Sequence, residues 1–534
     1  MDLQSLIATL SDRALYPGAP SVEIRQTHAS CVFLTPTDAY KLKKPVDFGF
    51  LDYSTLRRRG LMCRREVDLN RRLAPSVYLG VERLVMCADG SFRIGGPGKT
   101  VEYLVRMRRL PDEATLSSLL ARDAVSDEDV ERIARTVAAF HAAAPVAPAG
   151  FGSTVQLWRN AAENLAEVDR QGPDGFLRAA SAEVRSWTRA FLATHGSVLR
   201  ERVAKGRVRD GHGDLRCEHV YLYDGQLSIV DCVEFNRRHR HVDVGLDLSF
   251  LVMDISTIGC PDRAEAMVRS YEAASGDSFG ALMDFFCCYR AMVRCKVAFL
   301  RSGEPEFDAA SRLGAEIEAR RYLMAALRFA RSDRQPWMIL VTGLTGSGKS
   351  TAARLLQGAL PARVASSDET RKKLAGLGPG QHAAEPYGSG LYSPVMNARV
   401  YHALLDEAAY ALSRRRSIIL DATHRRPEER LAARDLARRY GARFLMVECH
   451  AREETIEARL RQRAAAGGDP WSDGTWEVYL AQRDASAPAS ELEASEQLPL
   501  DTEASAVAQV ESVLMYLAYA PGQGDRSPVV QSAP

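Results

Sequence analysis

No stretch of this sequence approaches the roughly 20 apolar residues that a membrane-crossing helix requires. Nor does one sign of charge dominate. The formal net charge is +2, which gives no bulk reason to expect nucleic acid or an anionic membrane as partner. Basic clusters such as Arg57-Arg58-Arg59 and Arg237-Arg238 are local, and exposed helix faces explain such runs more often than anion sites do. The ten cysteines form no CxxC ladder, and Cys287-Cys288 stand in an apolar run, as small buried hydrophobes do. A reducing compartment fits better than a disulfide scaffold. Asp2 and Asp12 interrupt a start that has no basic stretch leading into an apolar core, so no signal peptide is expected and a cytoplasmic location is. There is no tandem repeat. Lysine is scarce beside arginine, which makes a lysine inside a motif more informative.

What is present is an ordinary globular mixture, 46% apolar and 26% charged over 534 residues, long enough for roughly two to four domains. Residues 22–45 alternate as strands do, a helical stretch follows near 55–72, and strand-like pieces recur at Tyr78–Leu84 and Val101–Met107. From Asp127 the pattern is mainly helical, up to an Ala-Pro-Gly loop at 144–152. Asp224-Gly225 between Val220–Tyr223 and Leu227–Val230 signals a hairpin. Long helices are expected over 245–330. After Ser-Asp-Arg-Gln-Pro at 332–336, strands at 337–342, 363–366, 417–421, 444–448 and 497–500 alternate with helices. That order predicts a parallel sheet covered on both faces. From about 520 the chain is rich in Pro, Gly and Ser and is expected to be disordered.

Two segments carry chemistry. Gly343-Leu-Thr345-Gly346-Ser347-Gly348-Lys349-Ser350, followed by Thr351, is a complete G-x-x-x-x-G-K-S motif between a strand and a helix. Its glycines let backbone N–H groups curve around phosphate, and the helix N-terminus adds positive potential. Lys349 can neutralise β and γ phosphates, and the Ser350 hydroxyl can ligate Mg²⁺. Asp421 ends Ser417-Ile-Ile-Leu-Asp, the place of a carboxylate that holds Mg²⁺ or its water. Asp368, in Ser366-Ser367-Asp368-Glu369-Thr370-Arg371, reads either as the base for an acceptor hydroxyl, with Arg371 positioning phosphate or substrate, or as a helix N-cap. Arg459 and Arg463, four apart on one helix face, precede Ala-Gly-Gly-Asp-Pro. They read as lid arginines that stabilise charge on the transferring phosphoryl group, or as a solvated basic face. The elements GLTGSGKST, SSDETR, ILDATHRRPEER and RLRQR resemble the small P-loop kinases of the gluconate kinase, zeta toxin and polynucleotide 5′-hydroxyl kinase kind. That resemblance covers about 336–515. It implies Asp368 as substrate base and Arg459 or Arg463 as lid residue.

The second segment is Asp210-Gly-His212-Gly-Asp214-Leu-Arg216-Cys-Glu-His219, with Asp231-Cys-Val-Glu234-Phe235 beyond the hairpin. Carboxylates at Asp214 and Asp231 suit hydroxyl orientation plus Mg²⁺ binding; a hydrogen-bonded turn is the plainer reading. Upstream, Lys41 and Lys43 are two apart on a predicted strand and so share a face. Glu66 on the next helix can pair with one of them, Lys41 being favoured, and fix its ammonium for α/β-phosphate contact; the plainer reading is a solvated strand face. Together these residues resemble the aminoglycoside phosphotransferase and protein-kinase-like fold over roughly 20–325. The resemblance implies Asp214 as hydroxyl-orienting base, Asp231 as main metal ligand, Asp247 as support for the catalytic loop and His141 as a structural helix-end histidine.

Two departures stand out. The expected Asn falls at His219, whose imidazole suits Mn²⁺ or Zn²⁺ better than hard Mg²⁺. There is no G-x-G-x-x-G before Lys41, and Gln26-Thr27-His28-Ala29-Ser30 occupies that loop. YKLKKPVDFGFLDYSTL, REVDLNRRLAP and GHGDLRCEHV closely resemble a bacterial group that joins the two parts. The implied architecture is an α+β protein-kinase-like bilobal domain over 1–330, an α/β P-loop kinase domain with a parallel sheet over 331–519, and a tail over 520–534. The implied activity is transfer of the ATP γ-phosphoryl group to a small polar hydroxyl-bearing acceptor, with Mg²⁺ or Mn²⁺. Two other readings stand beside it, a nucleic-acid 5′-hydroxyl kinase and a pseudokinase module regulating the C-terminal enzyme.

Overall fold

Alternation in residues 30–43 decides which way the first sheet faces. Cys31, Phe33, Tyr40 and Leu42 point to one side, where they form a core with Leu6 and Leu10 of the helix Leu3–Ser11. Lys41 and Lys43 therefore point to the other side. In the computed structural model, which describes residues 2–27, 29–47, 49, 51–172, 175–378, 381, 390–465, 474–485 and 488–520, this sheet has six antiparallel strands. They are β1 (Glu23–Gln26), β2 (Ser30–Leu34), β3 (Asp38–Lys43), β4 (Tyr78–Met86), β5 (Phe92–Ile94) and β6 (Lys99–Arg108), in the order β1-β2-β3-β6-β4-β5. The helix Leu56–Asn70 covers the lysine-bearing face, with Cys63 and Val67 packed on Val105 and Tyr78.

A mainly helical part follows in the chain. It holds β7 (Val208–Asp210), paired with β10 (His241–Asp243), and the hairpin of β8 (Val220–Tyr223) and β9 (Gln226–Ile229). Asp224 and Gly225 both have positive φ, 50° and 68°, as the tight hairpin turn expected there requires. Sheet plus helical part is the bilobal α+β arrangement expected of a kinase-like fold.

The second sheet is parallel throughout. Its strands β11 (Trp337–Thr342), β12 (Ala362–Ser366), β13 (Ser417–Asp421), β14 (Arg443–His450) and β15 (Gln497–Asp501) lie in the order β12-β13-β11-β14-β15. Every residue of β11 and β13 is buried, which is why both read as unbroken apolar runs rather than alternations. Val341 pairs with Asp421, and Asp421 with Ser366, so the chemistry-bearing ends of three strands stand side by side at the carboxyl edge.

Two compact units emerge. The first comprises residues 1–157, 195–255 and 265–283; the second comprises 158–194, 256–264 and 284–534. The helices Gly175–Thr194 and Ala309–Ala330 thus belong to the same unit as the P-loop sheet. Arg331 pairs with Glu183, and Arg320 with Glu511. In chain order the second sheet begins at Trp337, whereas compactness divides the chain in an interleaved way. No helix among the described residues is long and apolar enough to cross a membrane. The Ala-Gly-Gly-Asp-Pro stretch at 466–470, His28 and the tail beyond 520 lie outside the described residues.

Candidate active sites

In the first unit the two lysines share one carboxylate. Lys41 Nζ lies 2.9 Å from Glu66 Oε1 and 2.6 Å from Asp231 Oδ1. Lys43 Nζ lies 2.5 Å from Glu66 Oε2 and also bonds Glu234, which accepts from Tyr53 Oη as well. Burial opposes charge on Lys41, Lys43, Glu66 and Asp231, but mutual attraction wins: both ammonium groups titrate above their usual range, and Glu66 and Asp231 below theirs. The solvated-face reading of the lysines fails, since the side chain of Lys43 is 1% exposed and that of Glu66 0%. Lys41 remains the one that meets the site. It alone reaches Asp231, whose side chain is 44% exposed.

Asp231 sits at φ 64°, a left-handed conformation that L residues rarely hold. Its N–H donates to Tyr78 Oη at 3.1 Å, and the next N–H, of Cys232, donates to Asn70 Oδ1 at 2.8 Å. These bonds aim the carboxylate back at Lys41. The Asp214 loop is held from beneath by Asp247, which is fully buried. Asp247 accepts from His212 N at 2.6 Å and Gly213 N at 2.8 Å, and meets His141 Nε2 at 3.1 Å. A side chain at Gly211 would collide with it. Asp247 thus holds the Asp214 loop in place, and the buried His141 is also bonded to Tyr271 Oη.

His219 takes a defined tautomer. Its Nδ1 is 2.8 Å from the Asp214 carbonyl, an acceptor only, so Nδ1 carries the proton when the ring is neutral. The lone pair then sits on Nε2, 3.7 Å from Asp231 Oδ2. Among the described residues no three His, Cys, Asp or Glu side chains form a metal cage. Asp231 with His219 Nε2 instead fits a cation that draws its other ligands from phosphate and water. Before Lys41, the Thr27 and Ser30 hydroxyls lie 2.8 Å apart.

In the second unit the P-loop leaves β11 and enters the helix Lys349–Ala359. Gly343, Gly346 and Gly348 have φ of 135°, 79° and 93°. A Cβ at Gly343 would stand 2.5 Å from the Cys449 carbonyl, and one at Gly348 3.1 Å from Thr502. Positive φ and close packing together demand glycine there. Ser347 Oγ is buried without a hydrogen-bond partner, a donor in the cradle. The Lys349 ammonium folds onto the Leu344 carbonyl at 3.1 Å. Burial raises the Asp421 carboxyl, against the opposing pull of Lys349 and a hydrogen bond with Ser350, while Asp368 adds to the rise. Those four groups therefore lie within electrostatic reach of one another at the carboxyl edge. The residues fit a phosphate group with a small hard cation between Ser350 and Asp421.

Around this core the structure refines the sequence reading. Ser366 occupies the N-cap position of the helix Ser367–Leu374, so Asp368 lies in the first turn and the N-cap reading of it is corrected. Arg371 is 7% exposed; it donates to the Leu391 carbonyl at 2.9 Å and to Asn397 Oδ1 at 2.6 Å, and lies over the Tyr392 ring. Arg459 is tied to Thr502 through Oγ1 at 2.9 Å and the carbonyl at 2.7 Å. Thr502 in turn donates to the Ser347 carbonyl at 2.7 Å, so Arg459 stands beside the P-loop. Arg463 donates to the Gly474 carbonyl at 2.5 Å. The Thr345 N–H is taken by Gln482 Oε1 at 2.9 Å, while Thr351 is exposed. Sequence reasoning gave no role to Tyr53, Glu234, Gln482 or Thr502. Glu234 alone had a signal, as a third acid three residues past Asp231.

A family model described as an AAA domain matches residues 338–486. Among solved structures, a choline/ethanolamine kinase family protein from Mesorhizobium loti is 14% identical, with 62% of this chain and 100% of that chain covered and a TM-score of 0.34. A gluconokinase from Sinorhizobium meliloti 1021 is 17% identical, with 34% and 92% covered and a TM-score of 0.26. A curated relative, the uncharacterized protein Rv2004c of Mycobacterium tuberculosis (strain ATCC 25618 / H37Rv), is 32% identical over 470 residues, 86% of this chain and 89% of its own length. The chain, with its kinase-like fold followed by a P-loop fold, belongs to the family of that mycobacterial protein.

Proposed function

We propose that this protein is an ATP-dependent phosphotransferase with two nucleotide centres, each passing the γ-phosphoryl group to a hydroxyl of a small polar acceptor. The observation that carries the reading is that groups distant in sequence converge twice as cation plus carboxylates: Lys41 with Glu66 and Asp231, and Lys349 and Ser350 about Asp421. In chain order the first centre belongs to 1–330 and the second to 331–519.

In the first centre Lys41, held by Glu66, contacts the α and β phosphates, and Asp214 orients the acceptor hydroxyl and takes its proton. In the second, the P-loop amides and Lys349 hold the phosphates, Asp368 takes the acceptor proton, and Arg459 and Arg463 stabilise charge on the moving phosphoryl group. The acceptor oxygen bonds to Pγ, the bond from Pγ to the β–γ bridging oxygen breaks, and ADP departs with that electron pair. A bound Mg²⁺, or Mn²⁺ in the first centre, would be held by Asp231 and His219 or by Ser350 and Asp421, and would supply charge neutralisation between the phosphates. Positioning and electrostatics supply the rest.

Direct pairing of Lys41 with Asp231, together with His219, favours a second reading, in which the first unit binds nucleotide and regulates without turnover. Comparing Asp214→Ala with Lys349→Ala in an acceptor screen by ³¹P NMR separates the two. Loss of a distinct product with Asp214→Ala supports two active centres. Unchanged products under both Mg²⁺ and Mn²⁺ support the regulatory module, and no product or ADP from the wild type refutes the phosphotransferase.

A further inference from the structure

The loop leaving β13 carries a buried imidazole that the chemistry above does not use. His424 lies three residues beyond Asp421, at φ 41°, and is 2% exposed. Its backbone is pinned at both ends: the N–H donates to Tyr401 Oη at 3.0 Å, and the carbonyl accepts from Arg430 Nη1 at 2.8 Å. The ring meets the Tyr401 ring edge-on, with centroids 5.2 Å apart. Yet neither ring nitrogen has a hydrogen-bond partner in the structure. Buried polar groups are almost always paired, and one imidazole with both nitrogens orphaned in a strained loop points to a ligand.

The chemistry of that ligand follows from the ring's charge. Burial, with Arg430 adding to it, draws the imidazole down to about 3, so at neutral pH it offers one N–H and one lone pair. A phosphate or carboxylate oxygen can only accept, and would leave the lone pair facing lone pairs. A hydroxyl both donates and accepts. The Tyr401 beside the ring belongs to a hydroxyl-compatible cluster: its Oη is 3.2 Å from Thr423 Oγ1, and Glu429, its carboxyl raised by burial, bonds it. Arg371 is among the charges acting on Tyr401, and it sits one turn along the helix from Asp368. The cluster thus lies on the acid-bearing side of the carboxyl edge, where open α/β sheets take ligands.

We propose that His424 binds the acceptor of the C-terminal centre, its two ring nitrogens donating to and accepting from hydroxyls of a polyol or sugar. This rests on the phosphotransferase reading and narrows its acceptor to polyhydroxylated compounds.

The test uses the full-length protein with MgATP and a panel of glycerol, erythritol, ribitol, D-ribose and D-glucose, against lactate and ethanol. ADP release is followed for wild type, His424→Phe and His424→Gln, with ATP binding measured by calorimetry. The expected result is stimulation by at least one polyol or sugar. KM for it should rise at least about tenfold in His424→Phe, and recover in part in His424→Gln, which keeps a donor and an acceptor. A KM unchanged in His424→Phe means that water or packing accounts for the ring, and overturns the proposal. So does stimulation by the anionic or single-hydroxyl compounds alone, or by none while ATP still binds. Absence of ATP binding is separately visible and removes the phosphotransferase reading and this proposal together. Should His424→Phe fail to fold, ¹⁵N-histidine wild type decides. Its His424 ring signals, assigned with His424→Gln, should shift on addition of the stimulating polyol; no shift overturns the proposal.

Discussion

Lys41 and Lys43 are two residues apart on one strand, share Glu66, and still do different work. Lys43 is closed in with Glu66 and Glu234, so Lys43→Met would leave the buried Glu234 without its ammonium and Glu66 with Lys41 alone. The expected loss is about 3–5 kcal/mol, the usual cost of stripping one partner from a buried pair, read as a lower urea midpoint. Lys41→Met should cost less stability, because Asp231 has access to water, and should instead weaken nucleotide binding. The same cluster sets an acid limit. The folded Glu66 carboxyl is held below its ordinary value of 4.5. Its stabilising contribution is therefore complete above that value and is lost as pH falls through the lower folded one. Unfolding monitored from pH 7 to pH 3 should show the first unit weakening only below about 4.5, with a smaller dependence in Glu66→Gln.

At the scale of elements, loops between strands and helices carry the functional differences. The Asp214 loop fixes His219 through its own carbonyl, which presents Nε2 beside Asp231. With the second centre silenced by Lys349→Ala, adding His219→Asn should shift the first centre toward Mg²⁺. The Mn²⁺-to-Mg²⁺ ratio of turnover should fall on the order of tenfold, the scale of change around a metal ligand. The P-loop makes the complementary case. Gly348→Ala puts a Cβ 3.1 Å from Thr502 at φ 93°, a strain of about 1–2 kcal/mol before any crowding. It should lower the affinity of the second centre for ATP by at least about tenfold, measured by calorimetry.

These elements also show what a sequence makes legible. The strands β11 and β13 were readable to the residue because buried parallel strands are unbroken apolar runs, and Asp224-Gly225 marked its hairpin because both positions need positive φ. The pairing of Lys41 with Glu66 was readable from one strand and the helix after it. Thr502, Gln482 and Tyr401 were not, because each acts through a tertiary contact with a partner far away in sequence. Arg371 was readable as part of the motif, but its burial against the 391–397 segment is a packing fact that no local pattern encodes.

For the molecule as a whole, the two constellations sit in different compact units, so substitutions in one should leave nucleotide binding by the other intact. The most direct measurement is the stoichiometry of a slowly hydrolysed ATP analogue by calorimetry, with Mg²⁺ and with Mn²⁺. Two centres mean two equivalents bound per wild-type chain and one in each of Lys41→Ala and Lys349→Ala. A wild type that binds one equivalent under both metals, lost in Lys349→Ala and unchanged in Lys41→Ala, would contradict a nucleotide centre in the first unit.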